Sequence, residues 1–469
     1  MYGAETQSEY IPTAKRRKFR MSKVTFRGGV HPYEGKELTE NKEAIPFIPK
    51  GDLVFPMSQH IGAPAKPIVE TGQRVLMGQT IAEAGGFVSS PIASSVSGYV
   101  KEIKPVLTVS GAMVPAIVIE NDGLYEAVEG LGEDRDYREL SRQEIRDIIR
   151  DAGIVGMGGA GFPTFIKLSP KNDAAIDTII VNGSECEPYL TSDYRVMLQE
   201  GDRLVGGLKI ILSLFDNARG VIAIEDNKPK AIEHMKKLVE GEDRITVKKV
   251  KTKYPEGAER QLISVVTGRK INSLMLPADA GCIVDNVDTV VAVYMAVAKR
   301  TPLMRRVVTV SGDAIADPRN FIVKTGTNYN ELIDAAGGFT APPAKMISGG
   351  TMMGMALFDT NIPVTKTSSA LLAFKKDPMD KVPTSPCIRC GRCVAACPQH
   401  LVPQMLMDAA EKFDNAAFEA VSGMECVECG CCAFVCPSGR PLTQAIKETR
   451  RSILDERKRA AAAAAAANK

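Results

Sequence analysis

Nine of the eleven cysteines lie in one C-terminal stretch of the chain. They form two runs of the pattern C-x2-C-x2-C-x3-C-P, at residues 387–398 and 426–437. Three thiolates at this spacing can wrap three irons of a cubane, while the fourth thiolate of each run reaches the other cubane. The two runs therefore predict a pair of [4Fe–4S] clusters.

The pattern also predicts which cysteines share a cluster, because the fourth ligand crosses between the runs. One expected set is Cys387, Cys390, Cys393 and Cys436, and the other is Cys426, Cys429, Cys432 and Cys397. Zinc is the competing metal, but a zinc ribbon uses paired C-x2-C units and would leave two thiolates of each run idle. Cys431 lies off the pattern, so we expect its side chain to be a small buried neighbour of the cluster rather than a ligand.

Length and charge limit the classes of protein that remain. At 469 residues the chain exceeds one hydrophobic core, so about two to four domains are expected. A net charge of +3 and the absence of Trp give no support for nucleic-acid binding. No run of about 18 apolar residues occurs, so no membrane-spanning segment is expected. The basic run at residues 15–18 lacks a following apolar stretch and does not predict a secretory signal.

The elements that carry the cysteines are expected to be mainly helical. Residues 403–421, between the two runs, have helical periodicity and good helix formers. Residues 442–459 after the second run predict a charged amphipathic helix. Residues 371–386 before the first run are interpreted as a linker.

A second candidate site begins with a glycine-rich segment at residues 153–164. Its glycines include Gly156, Gly158, Gly159 and Gly161, and Lys167 follows shortly after. Glycines let backbone N–H groups approach a phosphate, and a nearby lysine adds positive charge. The spacing matches neither a Walker loop nor a Rossmann fingerprint. Alone it is more typical of a tight turn.

Three further segments follow the glycine-rich one. Residues 177–181 predict a buried strand that ends in Asn182-Gly-Ser-Glu-Cys-Glu187, at the strand end where α/β folds bind ligands. Residues 221–224 repeat the strand pattern. The segment YPEGAERQL at residues 254–262 and the segment VDNVDT at residues 284–289 come next.

This order, with GMGGAGFPTFIK first and VDNVDT last, resembles the flavin-binding subunit of NADH dehydrogenases such as respiratory complex I. With the flanking regions added, residues 21–459 resemble the RnfC family, the C subunits of the Rnf complexes, which are ion-translocating ferredoxin:NAD+ oxidoreductases. The resemblance implies non-covalently bound FMN, NAD(H) as substrate, and a chain that exchanges hydride with NAD(H) and single electrons with two clusters. FMN would convert between two-electron hydride transfer and one-electron transfer.

The resemblance also implies roles for individual residues. FMN would be bound by Gly156, Gly158, Gly159, Gly161, Lys167, Asn182, Glu185, Tyr254 and Asn286, while Phe162, Glu187 and Glu259 would lie against the nicotinamide nucleotide, the two glutamates as catalytic residues. The chain departs from the flavin-subunit pattern at Ser184, Asn227, Ala258 and Asp285, so contacts are expected to differ in detail there.

An α/β multidomain fold is expected. Residues 25–130 resemble a barrel-sandwich hybrid domain, but no Lys occurs at residues 67–99 to carry a prosthetic arm. The expected units are an N-terminal extension (1–24), that domain (25–130), an α/β FMN/NADH-binding Rossmann-like domain (131–304), an SLBB-like β-grasp domain (305–370), a helical two-cluster ferredoxin domain (371–448) and a charged, Ala-rich tail (449–469).

The resemblance implies a peripheral subunit on the cytoplasmic side of the cell membrane. Other membrane subunits of the complex and its ferredoxin-like subunit are the expected partners, and they alone would provide membrane association. Two alternatives remain open: the flavin and iron–sulfur subunit of a soluble NAD-linked hydrogenase or formate dehydrogenase, and a two-cluster electron carrier with an empty nucleotide pocket. Flavin content separates the second alternative from the first interpretation.

Overall fold

A computed structural model describes residues 25–380 and 382–467. The predicted N-terminal extension at residues 1–24, including its basic run, lies outside the described residues. Short 3-10 helices lie at Lys36–Leu38, Tyr137–Glu139, Asp173–Ala175, Pro277–Ala280 and Gly423–Glu425. No helix in these described ranges has the length and apolar character needed to cross a bilayer.

The N-terminal part folds into two small antiparallel sheets that face each other. Strand β1 (Ile45–Phe47) precedes this unit and belongs to another sheet. The strands of the unit are β2 (Leu53–Pro56), β3 (Lys66–Pro67), β4 (Arg74–Val75), β5 (Thr80–Glu83), β6 (Ile92–Ala93), β7 (Gly98–Leu107) and β8 (Met113–Asn121). One sheet has the order β2-β8-β7-β4 and the other β3-β5-β6. Leu53, Phe55, Ile81 and Ile117 point between the sheets and are fully buried. We call this unit the N-terminal sandwich.

The central domain is a parallel sheet with helices packed around it. Its elements are α1 (Arg142–Asp151), α2 (Thr164–Lys167), β9 (Thr178–Gly183), α3 (Ser192–Gln199), α4 (Gly201–Ser213), β10 (Arg219–Glu225), α5 (Pro229–Leu238), β11 (Ile245–Val250), α6 (Glu259–Thr267), β12 (Cys282–Asn286) and α7 (Val287–Lys299). The strand order is β11-β10-β9-β12. Because the strands run parallel, the carboxyl ends of β9, β10 and β12 meet at one edge of the sheet.

A six-stranded mixed sheet follows. It adds β13 (Arg305–Ser311), β14 (Arg319–Lys324), α8 (Tyr329–Ala335), β15 (Lys345–Ser348), β16 (Met355–Leu357) and β17 (Ala370–Phe374). The order β1-β14-β13-β17-β15-β16 takes its edge strand β1 from near the N-terminus. Strand β17 lies in the middle of this sheet, where the sequence predicted a linker from residue 371. Its run Ala370-Leu-Leu-Ala is buried throughout, as expected for a strand covered on both faces.

The C-terminal residues form the cluster module, a small helical unit. Its helices are α9 (Arg392–Ala396), α10 (Pro403–Glu411), α11 (Asn415–Ala420), α12 (Cys431–Phe434) and α13 (Leu442–Ala467). The helical stretch expected at residues 403–421 is two helices, because Phe413 adopts a left-handed φ of 54° and the Asp414 side chain caps α11. Leu406, Phe418 and Ile446 form the buried core between α10, α11 and α13.

Lys366 joins three of these units at one buried point. It belongs to the loop before β17, and its Nζ donates to Ser90 Oγ at 3.0 Å and to Pro91 O in the N-terminal sandwich. It also donates to Gly153 O at 2.8 Å, just before the glycine-rich loop of the central domain. No carboxylate lies among these partners. Burial lowers the pKa of Lys366 to about 7.

Lys366 should make stability depend on pH. In the unfolded chain a lysine keeps its ordinary pKa of 10.5, so between about pH 7 and that value the unfolded chain binds more protons than the folded one. Stability contributed by this site therefore rises with pH across the window. We expect the melting temperature of the parent chain, relative to Lys366→Met, to increase from pH 7 to pH 10. Replacing the exposed Lys171 by Met should leave the parent's pH slope unchanged; an equal slope in Lys366→Met would contradict the prediction.

Candidate functional site

Five cysteines of the cluster module line one cavity, and four of them are predicted cluster ligands. Cys426, Cys429 and Cys432 come from the second run, and Cys397 comes from the end of the first run. Cys397 reaches this cavity because it directly follows α9, which packs against α12. The structure thus brings together the crossed set that the spacing predicts. Cys431 lines the same cavity and is fully buried.

The surroundings of these thiols suit a metal centre with several atoms. Burial raises the pKa of Cys426 to about 12 and that of Cys432 to about 11, so the thiolates need a cationic partner to form. In the part of the chain that is described, no group of three or more possible ligands converges on a point suited to a single ion. Four predicted ligand thiols around one cavity match the ligand set of a cubane, in which each iron binds one thiolate.

The other four predicted ligands lie near the surface. Ser385 N donates to Ser438 O at 3.0 Å, and Ser438 Oγ donates to Pro386 O at 3.2 Å. These bonds hold the chain just before Cys387 against the chain just after Cys436. Cys390 is exposed, whereas Cys387, Cys393 and Cys436 are half-buried.

The glycine-rich loop stands at the carboxyl edge of the central sheet. Gly156 N donates to Phe162 O at 2.8 Å and closes the loop, and Met157 N donates to Thr289 Oγ1 at 3.0 Å. A Cβ on Gly158 would lie 3.0 Å from Asn286 Cβ, so only glycine lets the loop approach β12 this closely. Gly159 is exposed, and Gly161 has a φ of 73°.

Polar side chains line the edge below this loop. Asn182 and Asn286 are register partners at the ends of β9 and β12. Asn286 Nδ2 donates to Asp193 Oδ2 at 2.7 Å. Lys167 Nζ donates to Val284 O at 2.8 Å and lies 3.9 Å from the half-exposed Glu259 Oε1. The structure therefore brings two amides, one lysine and one glutamate to the side of the loop.

This edge fits FMN in its chemistry. The loop leaves backbone N–H groups accessible, and Lys167, whose side chain is 23% exposed, supplies positive charge for a phosphate. Asp285 lies 3.5 Å from Lys167 and is buried, with both carboxylate oxygens lacking a hydrogen-bond partner. Its burial raises the pKa of this carboxyl. Asp285 therefore relies on its ion pair with Lys167, and it holds that ammonium group at the side of the glycine-rich loop.

Three predicted residues form a separate group, next to the cluster module. Glu185 is buried, and its Oε1 accepts from Asp193 N at 2.8 Å. Glu187 Oε2 accepts from Met352 N at 3.0 Å, and burial raises the pKa of Glu187 to about 7. Tyr254 OH donates to Cys429 O at 2.7 Å and lies 3.5 Å from Glu187 Oε1. This group links the central domain to the thiol-lined cavity.

Two buried lysines that sequence reasoning missed support this group. Lys36 Nζ donates to Glu185 O and Glu187 O, both at 2.9 Å, and also to Leu190 O. Lys228 Nζ donates to Glu225 Oε2 at 2.9 Å and to Glu185 O at 3.4 Å. Lys228 had a signal, because it closes the charged segment directly after strand β10. No sequence pattern indicated Lys36, since it lies 149 residues before Glu185 in the chain.

Comparison with protein-family models places four families along the chain. The RnfC barrel sandwich hybrid domain matches residues 24–124, and the Nuo51 FMN-binding domain matches residues 149–295. An SLBB domain matches residues 307–356, and a 4Fe-4S dicluster domain matches residues 386–440. The predicted fold class, with these four kinds of domain in this order, is confirmed.

Relatives match over most of the chain. The C subunit of a proton-translocating ferredoxin:NAD(+) oxidoreductase complex from Clostridium ljungdahlii is 49% identical over 389 residues, which are 83% of this chain and 85% of the relative. The C subunit of a Na(+)-translocating ferredoxin:NAD(+) oxidoreductase complex from Acetobacterium woodii is 41% identical over 436 residues, which are 93% and 98%. The chain therefore belongs to the RnfC family, the C subunits of ion-translocating ferredoxin:NAD(+) oxidoreductase complexes.

Proposed function

We propose that this chain is the peripheral electron-transfer subunit of a membrane-bound, ion-translocating ferredoxin:NAD+ oxidoreductase. It exchanges a hydride between NAD(H) and FMN, and single electrons between FMN and two [4Fe–4S] clusters. The observation that carries the proposal is the Tyr254 hydrogen bond to Cys429 O, which connects the sheet with the glycine-rich edge to the thiol-lined cavity. This contact between the central domain and the cluster module supports electron transfer between a two-electron site and a one-electron site within one chain.

The chain's own residues bind and orient the reactants in this proposal. Gly156, Gly158, Gly159 and Gly161 with Lys167, Asn182 and Asn286 hold FMN, which when bound converts between two-electron and one-electron transfer. Phe162 is half-buried beside the loop and offers a stacking face to the nicotinamide nucleotide. Glu259 lies on the same side, 3.9 Å from Lys167 Nζ, and its carboxylate is half-exposed.

Glu185, Glu187 and Tyr254 have a supporting position in this proposal. Their contacts with Asp193, Met352 and Cys429 support a position between the proposed flavin edge and the thiol-lined cavity. Glu187 is the proposed catalytic residue of this group. With a pKa near 7 it can hold or release a proton at Oε1, next to the Tyr254 hydroxyl, as the flavin changes its redox state.

The partners and location are also part of the proposal. Membrane subunits of the same complex and its ferredoxin-like subunit would receive or supply electrons, and the chain would lie on the cytoplasmic side of the membrane, held there by these partners. The domain boundaries at residues 24, 130 and 304 are proposed as well. The boundary expected at residue 370 moves to the end of β17 at Phe374, and the one expected at residue 448 falls inside helix α13. The N-terminal sandwich, which matches the RnfC family model, argues against a hydrogenase or formate dehydrogenase subunit.

Reconstitution with iron, sulfide and FMN tests the proposal directly. We expect about eight irons and about one FMN per chain, because two cubanes carry four irons each. NADH should bleach the flavin absorbance. Iron counting, fluorescence of the released flavin and anaerobic absorbance spectra measure these quantities. About eight irons without flavin uptake or bleaching would leave a two-cluster electron carrier and would contradict the flavin assignments.

Serine substitutions test the crossed ligand sets. Cys397→Ser should remove the same cluster as Cys426→Ser, although the two cysteines belong to different runs, because both line one cavity. Cys436→Ser should instead match Cys387→Ser. Loss of up to about four irons and paired electron paramagnetic resonance spectra of the reduced proteins are the readouts. Cys282→Ser in strand β12 is the control; a Cys397→Ser spectrum that matches Cys387→Ser would reject the crossing.

Gly158→Ala tests the flavin edge. The added methyl group would meet Asn286 Cβ at 3.0 Å and displace the loop from β12, so we expect the FMN dissociation constant to rise about tenfold, or about 1.4 kcal/mol. Fluorescence titration of the flavin-free chain measures it. Gly159→Ala is the matched variant, because a Cβ there meets no protein atom within 4 Å, and its effect should be smaller. An unchanged affinity in Gly158→Ala would remove the loop from the proposed site.

A further inference from the structure

The two cysteine runs can be compared position by position, because they share one spacing. We call residues 387–394 the first loop and residues 426–433 the second loop. The second loop is covered by the rest of the chain: Cys429 O accepts from Tyr254, and a Cβ on Gly430 would lie 3.1 Å from Met352 O. Cys431 is fully buried, with its Sγ 4.0 Å from Tyr254 O. The domain that carries the two-electron site therefore packs on this loop.

The same face of the first loop is uncovered among the described residues. Ile388, at the position of the half-buried Val427, is 66% exposed. A Cβ on Gly391 would meet nothing within 4 Å, unlike its counterpart Gly430. Val394 is 38% exposed, and the ligand Cys390 is itself exposed. This face combines apolar side chains with direct access to a cluster ligand.

The first loop carries positive charge without neighbouring acidic residues in the sequence. No Asp or Glu occurs at residues 382–407, while Arg389 and Arg392 are both exposed. Neither arginine forms an ion pair with another residue in the described ranges. The counterpart of Arg389 is Glu428, which has nearly the same backbone φ (56° against 54°) and pairs with Arg450. The second loop thus neutralises its charge within the chain, whereas the first loop presents two arginines to solvent.

We propose that the first loop is the docking surface for a one-electron carrier protein whose surface around its own redox centre is acidic. The proposal rests on the proposed function, since it requires a cluster on Cys387, Cys390, Cys393 and Cys436. One electron leaves the reduced carrier, which is oxidised by one unit, and enters this cluster, which is reduced by one unit. No bond or proton is exchanged in the step.

The size of the surface favours such a carrier over other occupants. Ile388 and Val394 are the two large apolar side chains that this loop exposes in the described residues, while a stable dimer needs about 800 Å² on each partner. Transient redox encounters lie at the low end of interface size, and opposite charges around the contact raise their association rate. A small apolar centre flanked by arginines has the features of such an encounter site.

Charge reversal tests the docking surface. An acidic two-[4Fe–4S] ferredoxin, chemically reduced, is mixed in a stopped-flow instrument with the reconstituted full-length chain, and cluster absorbance is followed. We expect Arg389→Glu/Arg392→Glu to lower the second-order rate constant about tenfold or more at low ionic strength, and the difference to shrink as salt is added. Lys236→Glu/Lys237→Glu on helix α5 makes the same change in net charge at exposed positions and should stay within about twofold of the parent.

The milder pair Arg389→Gln/Arg392→Gln serves if charge reversal lowers the iron content, and a reduction of about threefold is expected for it. Equal rate constants in the parent and the arginine variants at low salt would overturn the proposal. An unchanged carrier rate together with lost binding to vesicles of phosphatidylcholine and phosphatidylglycerol would also overturn it and would assign the face to lipid. An unchanged carrier rate together with lost self-association in sedimentation would assign the face to a second copy of the chain. Failure of NADH to bleach the parent would count against the proposed function alone, because the carrier assay reads the clusters directly.

Discussion

The contact between the central domain and the cluster module is the constraint on which the rest of the arrangement depends. Electron transfer between a flavin edge and a cluster requires that both stay close together, and here only a few bonds hold them so. Tyr254 OH donates to Cys429 O, and Arg260 pairs with Glu425 at 2.9 Å. The N-terminal segment completes the junction: Gly29 N donates to Ala396 O, and Val30 exchanges two backbone bonds with Tyr254. A Cβ on Gly28 would lie 2.6 Å from Cys397 O, so the segment can pack here only with glycine at this position.

Buried charges keep the central domain's side of this junction in place. Lys36 holds the turn after strand β9 through carbonyl groups of that turn, and Lys228 holds it through Glu225 and Glu185. Ions buried in this way are destabilising unless each is paired and hydrogen-bonded, which these lysines are. These bonds restrict the turn, and Glu187 lies 3.5 Å from the Tyr254 hydroxyl, which contacts the cluster module.

The two cysteine loops show how one short motif acquires two roles. Both hold the same ligand pattern, but within residues 25–380 and 382–467 the central domain covers the second loop and leaves the first loop exposed. Its Glu428 is neutralised by Arg450, while Arg389 of the first loop stays exposed. The sequence repeat alone is nearly symmetric. Packing on one half makes the module directional, with an inner cluster at the central domain and an outer cluster at the surface.

The amino-acid sequence by itself determined the parts of this protein that depend on short-range geometry. Short motifs predicted the glycine-rich loop, the strand ends at Asn182 and Asn286, and the crossed thiol sets. The structure brings the four thiols of one set, Cys397, Cys426, Cys429 and Cys432, to one cavity and pairs the two asparagines in register. The tertiary structure decided whatever joins distant segments. The addition of β1 to a sheet far along the chain, the lysine Lys366 shared by three units and the position of Tyr254 against Cys429 depend on packing between residues hundreds of positions apart. No local pattern encodes such contacts, because their free energy comes from burial that only the assembled domains create.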